Sequence, residues 1–310
     1  MSQEKVFRSF TAEQGANYAQ NRLTYSDKLY QLIIGHHTST GGQLDTLVDI
    51  GCGPGNAARD LAKYFPEVIG LDPSEGMVST ARSLAGTSST GRPIRFEVST
   101  AEELGSGLSP PIPDGSVDLI TAATAAHWFN MPFFWVSAAR ILKPGGTVAI
   151  WTSKTGMHHS MPNAAAIRAE MERLGDEYLG PYRQPGSAMA ETLYRYMVLP
   201  WTLPDTPPIP DFDESSFVKK EWSMDEGEAG DFFALPPDLN LDVFERAMGT
   251  VSPVIGWREA HPEKVGTEED VVKIMRRTVE GLLREGGVDP DKTMLKGGVA
   301  GVLLLVKKRA

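Results

Sequence analysis

The stretch VDIGCGPGNAARDLA, Val48 to Ala62, puts three glycines into five residues between an apolar run and a helix-like pattern. Upstream, Leu44 to Ile50 (LDTLVDI) is a short β-branched apolar run that suits a strand buried on both faces of a parallel sheet. Downstream, Ala57, Ala58, Leu61, Ala62 and Phe65 recur at helical spacing until Pro66. The unit therefore reads as strand, glycine turn, helix. Glycines at such a turn let the backbone take positive φ and let a ligand approach the main chain closely. The helix that follows presents unpaired N–H groups and a partial positive charge to the same place.

Val68 to Leu71 (VIGL) makes a second strand that ends at Asp72, 21 residues after Gly51. An acidic residue at that distance, on the tip of the second strand, is placed to accept hydrogen bonds from both ribose hydroxyls of a nucleotide. An adenosine compound is the expected ligand. Two classes compete for the arrangement: dinucleotide-binding dehydrogenases and methyltransferases that use S-adenosylmethionine. A dehydrogenase calls for G-x-G-x-x-G beside a pyrophosphate, and here Asn56 stands in the place of the third glycine. The pattern is instead Asp49-x-Gly51-x-Gly53-x-Gly55. The acidic Asp49 suits a ligand carrying a cationic ammonium group and repels a pyrophosphate.

Charge and composition narrow the partners. Forty acidic against thirty basic side chains give a formal net charge of −10, and no run of Lys and Arg is long enough to track a phosphate backbone. Nucleic acid is not expected as a partner. The single cysteine, Cys52, excludes an intrachain disulfide and fits a reducing compartment. No signal-peptide pattern opens the chain and no stretch of about 18 apolar residues occurs, so no membrane association and a cytoplasmic location are expected.

The D-x-G-x-G-x-G run with Asp72 resembles the first motifs of class I S-adenosylmethionine-dependent methyltransferases. Further matches carry the likeness: IRFEVSTAEEL (94–104) resembles the third strand and the loop edging the adenine ring, PDGSVDLITAATAAHWF (113–129) the fourth strand and its exit, and RILKPGGTVAIW (140–151) the fifth strand with its preceding helix. The likeness returns at the final strand, GGVAGVLLLVKKR. AAHWF (125–129), LGPYRQPG (179–186) and Asn21-Arg22-x-x-Tyr25 are similar to the trans-aconitate methyltransferase group, which esterifies small carboxylic acids. That group usually has Arg-Pro where this chain has Arg22-Leu23, and a basic residue where Ser187 follows Pro-Gly.

The resemblance implies an α/β fold: a doubly wound, Rossmann-like methyltransferase sheet with a helical cap inserted before the last strands. The expected parts are an S-adenosylmethionine-binding core over 1–154, a cap insertion over 155–212, and remaining core strands with additional cap helices over 213–310. A helix is expected from about Asn163 toward Gly175, a sixth strand over Ser216–Met224, and a helix after the capping-box-like Thr267-x-x-Asp270. Five prolines between Pro200 and Pro210 favour a stiff, extended connection.

Ligands of open α/β sheets sit outside the carboxyl ends of the strands. The expected cofactor, S-adenosyl-L-methionine, is accordingly assigned to Asp49, Gly51, Cys52, Gly53, Gly55, Asp72, Pro73, Met77, Thr100, Ala101, Glu102 and Ala122. Arg22 and Tyr25 join them from an N-terminal segment that folds over the cofactor in resembling proteins. His127 leaves the fourth strand near the methyl group and is the candidate catalytic residue, as base or as hydrogen-bond donor. Trp128, Tyr182, Arg183 and Trp257 are candidate substrate contacts, Arg183 as a bidentate anchor for a carboxylate. Arg195 and Arg258 are further candidates. His158 and His159 lack partners at ligand spacing, so no metal is expected. The acceptor is expected to be a small molecule methylated on oxygen. Methylation of nitrogen, or use of the sulfonium charge to promote a rearrangement or cyclisation, is the alternative.

Overall fold

The computed structural model describes residues 10–11, 15, 19, 25–203, 209–224, 229–233, 240–292 and 294–310. Arg22 and residues 204–208 of the proline-rich stretch lie outside them. Seven strands form one sheet: β1 (Thr46–Ile50), β2 (Glu67–Asp72), β3 (Arg95–Val98), β4 (Val117–Ala123), β5 (Leu142–Met157), β6 (Val218–Trp222) and β7 (Gly297–Lys307). Their order is β3-β2-β1-β4-β5-β7-β6. The first five are parallel, and β7 runs antiparallel between β5 and β6.

Period-two alternation along these strands splits the core into two layers. Leu47, Leu119, Ala149, Trp151, Leu303 and Leu305 face helices α1 (Asp27–Ser39), α2 (Asn56–Leu61) and α3 (Glu75–Leu84). Val48, Ile50, Ile120, Val148, Ile150, Val302 and Leu304 face α4 (Met131–Ile141). A strand apolar on both faces thus reads as an unbroken apolar run. The Trp135 indole of α4 donates to the Val198 carbonyl at 2.9 Å and fastens the segment after residue 192 to this second layer.

Helices start where local chemistry satisfies their free N–H groups. Ser74 caps α3 by accepting from the Met77 N–H. The last long helix, α9 (Val271–Glu285), is capped by Asp270, whose carboxylate accepts from Val272 N. Thr267, expected as the cap, accepts instead from Glu269 N in the turn before it. Two side chains of capping type three residues apart compete, and the one followed directly by the apolar stripe wins.

β5 runs on to Met157, past the expected core boundary at 154. The cap draws on two insertions. Between β5 and β6 lie α5 (Ala164–Leu174) and α6 (Pro185–Glu191), and between β6 and β7 lie α7 (Leu241–Met248), α8 (Ser252–Ala260) and α9. Ile167 of α5 packs with Leu241, Val279 and Leu283, while Leu174 and Leu179 pack with Val254, Trp257, Val272 and Met275. The two insertions therefore bury their apolar stripes against each other.

At the amino end of the parallel strands, the Asp118 carboxylate is 2% exposed and accepts from Asp45 N (3.1 Å), Thr46 N (2.8 Å) and Lys143 Nζ (2.9 Å). It joins the starts of β1 and β4. Asp118→Ala leaves two main-chain donors and an ammonium without their acceptor. A loss of about 3 kcal/mol is expected in urea unfolding; a loss below about 1 kcal/mol would show that water takes over the role.

Candidate functional site

The carboxyl ends of β1, β2, β4 and β5 open into a cavity of about 420 Å³, roofed by the cap. That volume lies in the range of small-molecule sites. One wall is the glycine turn. Gly51, Gly53 and Gly55 sit at φ +65°, +54° and +86°, where a side chain is strained. A Cβ on Gly51 would also stand 2.5 Å from that of Ala125, so the turn and the exit of β4 can approach only without one.

Asp72, 8% exposed, holds this wall together. Its carboxylate accepts from Gly53 N at 2.8 Å and Ser74 N at 2.9 Å. Pro73 and Met77 continue the wall, and Thr100, Ala101 and Glu102 form its edge. Glu102 accepts from Asn130 N at 2.7 Å, tying that edge to the start of α4. Tyr25 enters from before α1, with its hydroxyl 2.7 Å from Thr124 Oγ1 and its ring edge-on to Trp151.

The facing wall is built from His127, Trp128 and Phe129 after β4, Thr152 to Thr155 at the end of β5, Ser187, Ala190 and Glu191 of α6, and Met248 with Thr250 to Pro253 of the cap. Gly186 lets α6 sit on the 126–128 turn, since a Cβ there would meet the His127 carbonyl and the Trp128 ring at 2.6 Å. His127 Nδ1 is 3.0 Å from the hydroxyl of Tyr194. Among the described residues lining the cavity, Lys154 is the cation.

Several sequence-assigned residues lie elsewhere. Gly55 and Ala122 are buried behind the lining. Asp49 lies beneath the turn, fully buried, with Oδ1 accepting from Thr121 Oγ1 at 2.7 Å and Oδ2 without a hydrogen-bond partner. Arg183 does not line the cavity: it pairs with Asp176 and, at 3.6 Å, with Glu191. Trp257 is 4% exposed and stacks on His261 inside the cap, where Tyr182 packs too. Among the described residues no cluster of His, Cys, Asp or Glu suits a metal ion, and no helix is long and apolar enough to cross a membrane.

Lys154, Glu191 and residues 248–253 were not legible as site residues. Lys154 stands three residues after Trp151 in β5, so the strand-end rule points to it. The cap residues carry no motif and reach the cavity only through the packing of α7 and α8.

Residues 48–150 match the family model described as a methyltransferase domain. That span, about a third of the chain, is similar to methyltransferase domains. The chain is 37% identical over 171 residues to a protein of Dictyostelium discoideum named as a methyltransferase, covering 54% of this chain and 59% of that one. It is 31% identical over 176 residues to the 27-O-demethylrifamycin SV methyltransferase of Amycolatopsis mediterranei, covering 51% and 60%. Across these relatives the match spans about half of each curated protein's length. A solved structure named as a type II methyltransferase, from Anaeromyxobacter dehalogenans, superposes with a TM-score of 0.56 at 22% identity over 93% of this chain and 97% of that one, which shows the shared fold.

The pocket fits the domain's cofactor. A bare-backbone turn, a carboxylate at the tip of β2 and a buried acid with one oxygen unpartnered beneath the turn together suit a ribose and a cation. Burial pushes the Asp49 carboxyl up to about 7, with the Asp72 charge adding to it. The folded state then keeps a proton that the unfolded chain loses, so this group's contribution to stability is full below about pH 4 and fades as pH rises to about 7. Asp49→Asn removes the titration. The variant's stability relative to the native chain is expected to improve steadily across that window in denaturant titrations; a pH-independent difference would place the Asp49 titration elsewhere.

Proposed function

We propose that this chain transfers the methyl group of S-adenosylmethionine to an oxygen of a small molecule, a carboxylate or a hydroxyl. The observation that carries the reading is the pairing of walls: the glycine turn with Asp72 on one side of the cavity, His127 with Lys154 on the other. The bound sulfonium supplies an electrophilic methyl carbon; an acceptor oxygen forms the new bond to it as the carbon–sulfur bond breaks and its electron pair stays on sulfur.

What the chain must add is alignment and dryness. Gly51, Cys52 and Gly53 give the donor a main-chain bed, and the Asp72 carboxylate, already oriented by two N–H groups, accepts from the ribose hydroxyls. Met77, Thr100, Ala101 and Glu102 border the adenine end. Tyr25 serves the amino-acid end, with Asp49 beneath the turn. His127 and Trp128 hold the acceptor, and the two-part cap excludes water.

The acceptor's class follows from charge. With Arg183 engaged by Asp176 and Glu191, the carboxylate anchor expected there passes to Lys154, whose Nζ makes a weak 3.4 Å bond to the Glu191 carbonyl. The likeness to the trans-aconitate methyltransferase group and the relative named for an O-methylation support an oxygen acceptor. The acidic balance of the chain disfavours nucleic acid.

Calorimetric titration is expected to show binding of S-adenosylmethionine and its demethylated product, and none of NAD. Asp72→Ala should weaken donor binding by roughly 1.5–3 kcal/mol, because charge-assisted bonds are lost. Donor affinity unchanged in that variant would remove the second strand's assigned role. Lys154→Ala should raise KM for acidic acceptors about tenfold and leave donor affinity alone. His127→Ala should lower turnover by about 10²-fold with donor affinity kept; full turnover would return His127 to packing.

A further inference from the structure

The glycine turn has a rear face, and an arginine lies against it. Arg59 is half-buried in α2 and folds its guanidinium back past Gly55: Nη1 donates to the Pro54 carbonyl at 2.8 Å and Nη2 to Asn56 Oδ1 at 2.9 Å. A guanidinium donates and never accepts, so both directions are fixed by chemistry and the Asn56 atom that faces it is the oxygen. Both acceptors belong to residues that line the cavity, while Arg59 itself stands behind them.

The side chain is built into that place. A Cβ on Gly55 would lie 2.9 Å from Arg59 Nη1 and 2.7 Å from the Phe96 ring, and one on Gly86, just after α3, would lie 2.9 Å from Arg59 Cγ. Gly55 therefore makes room for protein neighbours, which explains why a glycine of the motif sits behind the lining. The Gly55 N–H bonds the Cys52 carbonyl at 2.9 Å, Asp72 takes the Gly53 N–H, and α2 starts at Gly55 without a side-chain cap. Pro54 has no N–H, so its carbonyl is its one main-chain handle. The arginine fork holds that handle and the Asn56 side chain together, one on each side of Gly55.

We propose that Arg59 is a positioning residue for the methyl donor: its fork clamps Pro54 and Asn56 from behind and holds the glycine turn in the shape that the donor meets. The inference rests on the methyl-transfer reading for the identity of the ligand; the clamp itself does not. A turn rich in glycine samples other shapes once its clamp is gone, and binding must then order it first, which lowers affinity. The facing wall is built after β4 and β5 and from the cap, with no contact to this fork. The loss therefore falls on the donor and spares the acceptor.

Arg59→Met keeps the stem between Gly55 and Gly86 and deletes the fork; Arg59→Lys leaves one ammonium that cannot copy it. Hydrogen exchange at the turn amides of the full, ligand-free chain is expected to be about tenfold faster in Arg59→Met than in the native protein. Equal exchange overturns the clamp whatever the site binds. Calorimetric titration with S-adenosylmethionine is expected to give a Kd about tenfold higher in Arg59→Met and an intermediate value in Arg59→Lys. Unchanged affinity in folded Arg59→Met overturns the positioning role. Asn56→Ala should weaken binding in the native background and add little in Arg59→Met, since the two side chains act as one unit; independent, multiplicative effects overturn the pairing. In steady state the donor KM should rise with kcat at saturating donor kept, whereas a fall in kcat with donor KM unchanged would make Arg59 a structural residue only. A native chain that binds no S-adenosylmethionine sinks the methyl-transfer reading and leaves the exchange result standing.

Discussion

One carboxylate ties the cofactor end of this molecule together. Asp72 ends β2 with its two oxygens on the N–H groups of Gly53 and Ser74, so the glycine turn after β1 and the helix start after β2 share an anchor. Such bonds to an ionised acceptor are stronger than neutral ones. Because the turn residues lie at positive φ and give little packing of their own, their conformation depends on that anchor and on the Cys52 N–H bond to the Leu71 carbonyl at 3.0 Å. A ligand hydroxyl that reached Asp72 would meet a group oriented before it arrives, which spares the ordering cost at binding.

The core layers were legible because they rest on short-range pattern. Apolar runs with glycine after them, helical spacing in 57–65 and the return of an apolar strand at the end of the chain need only the period of the backbone to be interpreted. The order β3-β2-β1-β4-β5-β7-β6 matches the doubly wound expectation. Thr267 and Arg183 show the limit. Each has the right side chain for the role assigned to it, but a role depends on what else is near: Asp270 stands closer to the helix start, and Asp176 and Glu191 engage the guanidinium first. Sequence gives the donor and withholds its competitors.

The far wall was hidden for a different reason. Residues 248–253 come to the cavity through α7 and α8, which themselves depend on α5 and α9 from either side of β6. Packing between two insertions separated by a strand has no local signature, and apolar stripes predict that a helix is covered without saying by what. Lys154 is the exception, a residue that strand-end logic reaches once β5 is known to continue past 154.

Two acids under one small turn are an unfavourable arrangement for the empty protein. Asp49 is buried with an oxygen unsatisfied, and Asp72 and Asp60 raise its affinity for a proton further. Such a group lowers stability near neutral pH, and replacing it with a neutral residue of similar shape would relieve the fold. Its retention beneath the turn makes sense if the stress is released by a ligand: a cation entering above Asp49 compensates the charge that burial penalises, and the proton leaves. Affinity gained in that way comes from destabilisation of the empty state. The ammonium group of an amino-acid ligand is a cation of that kind.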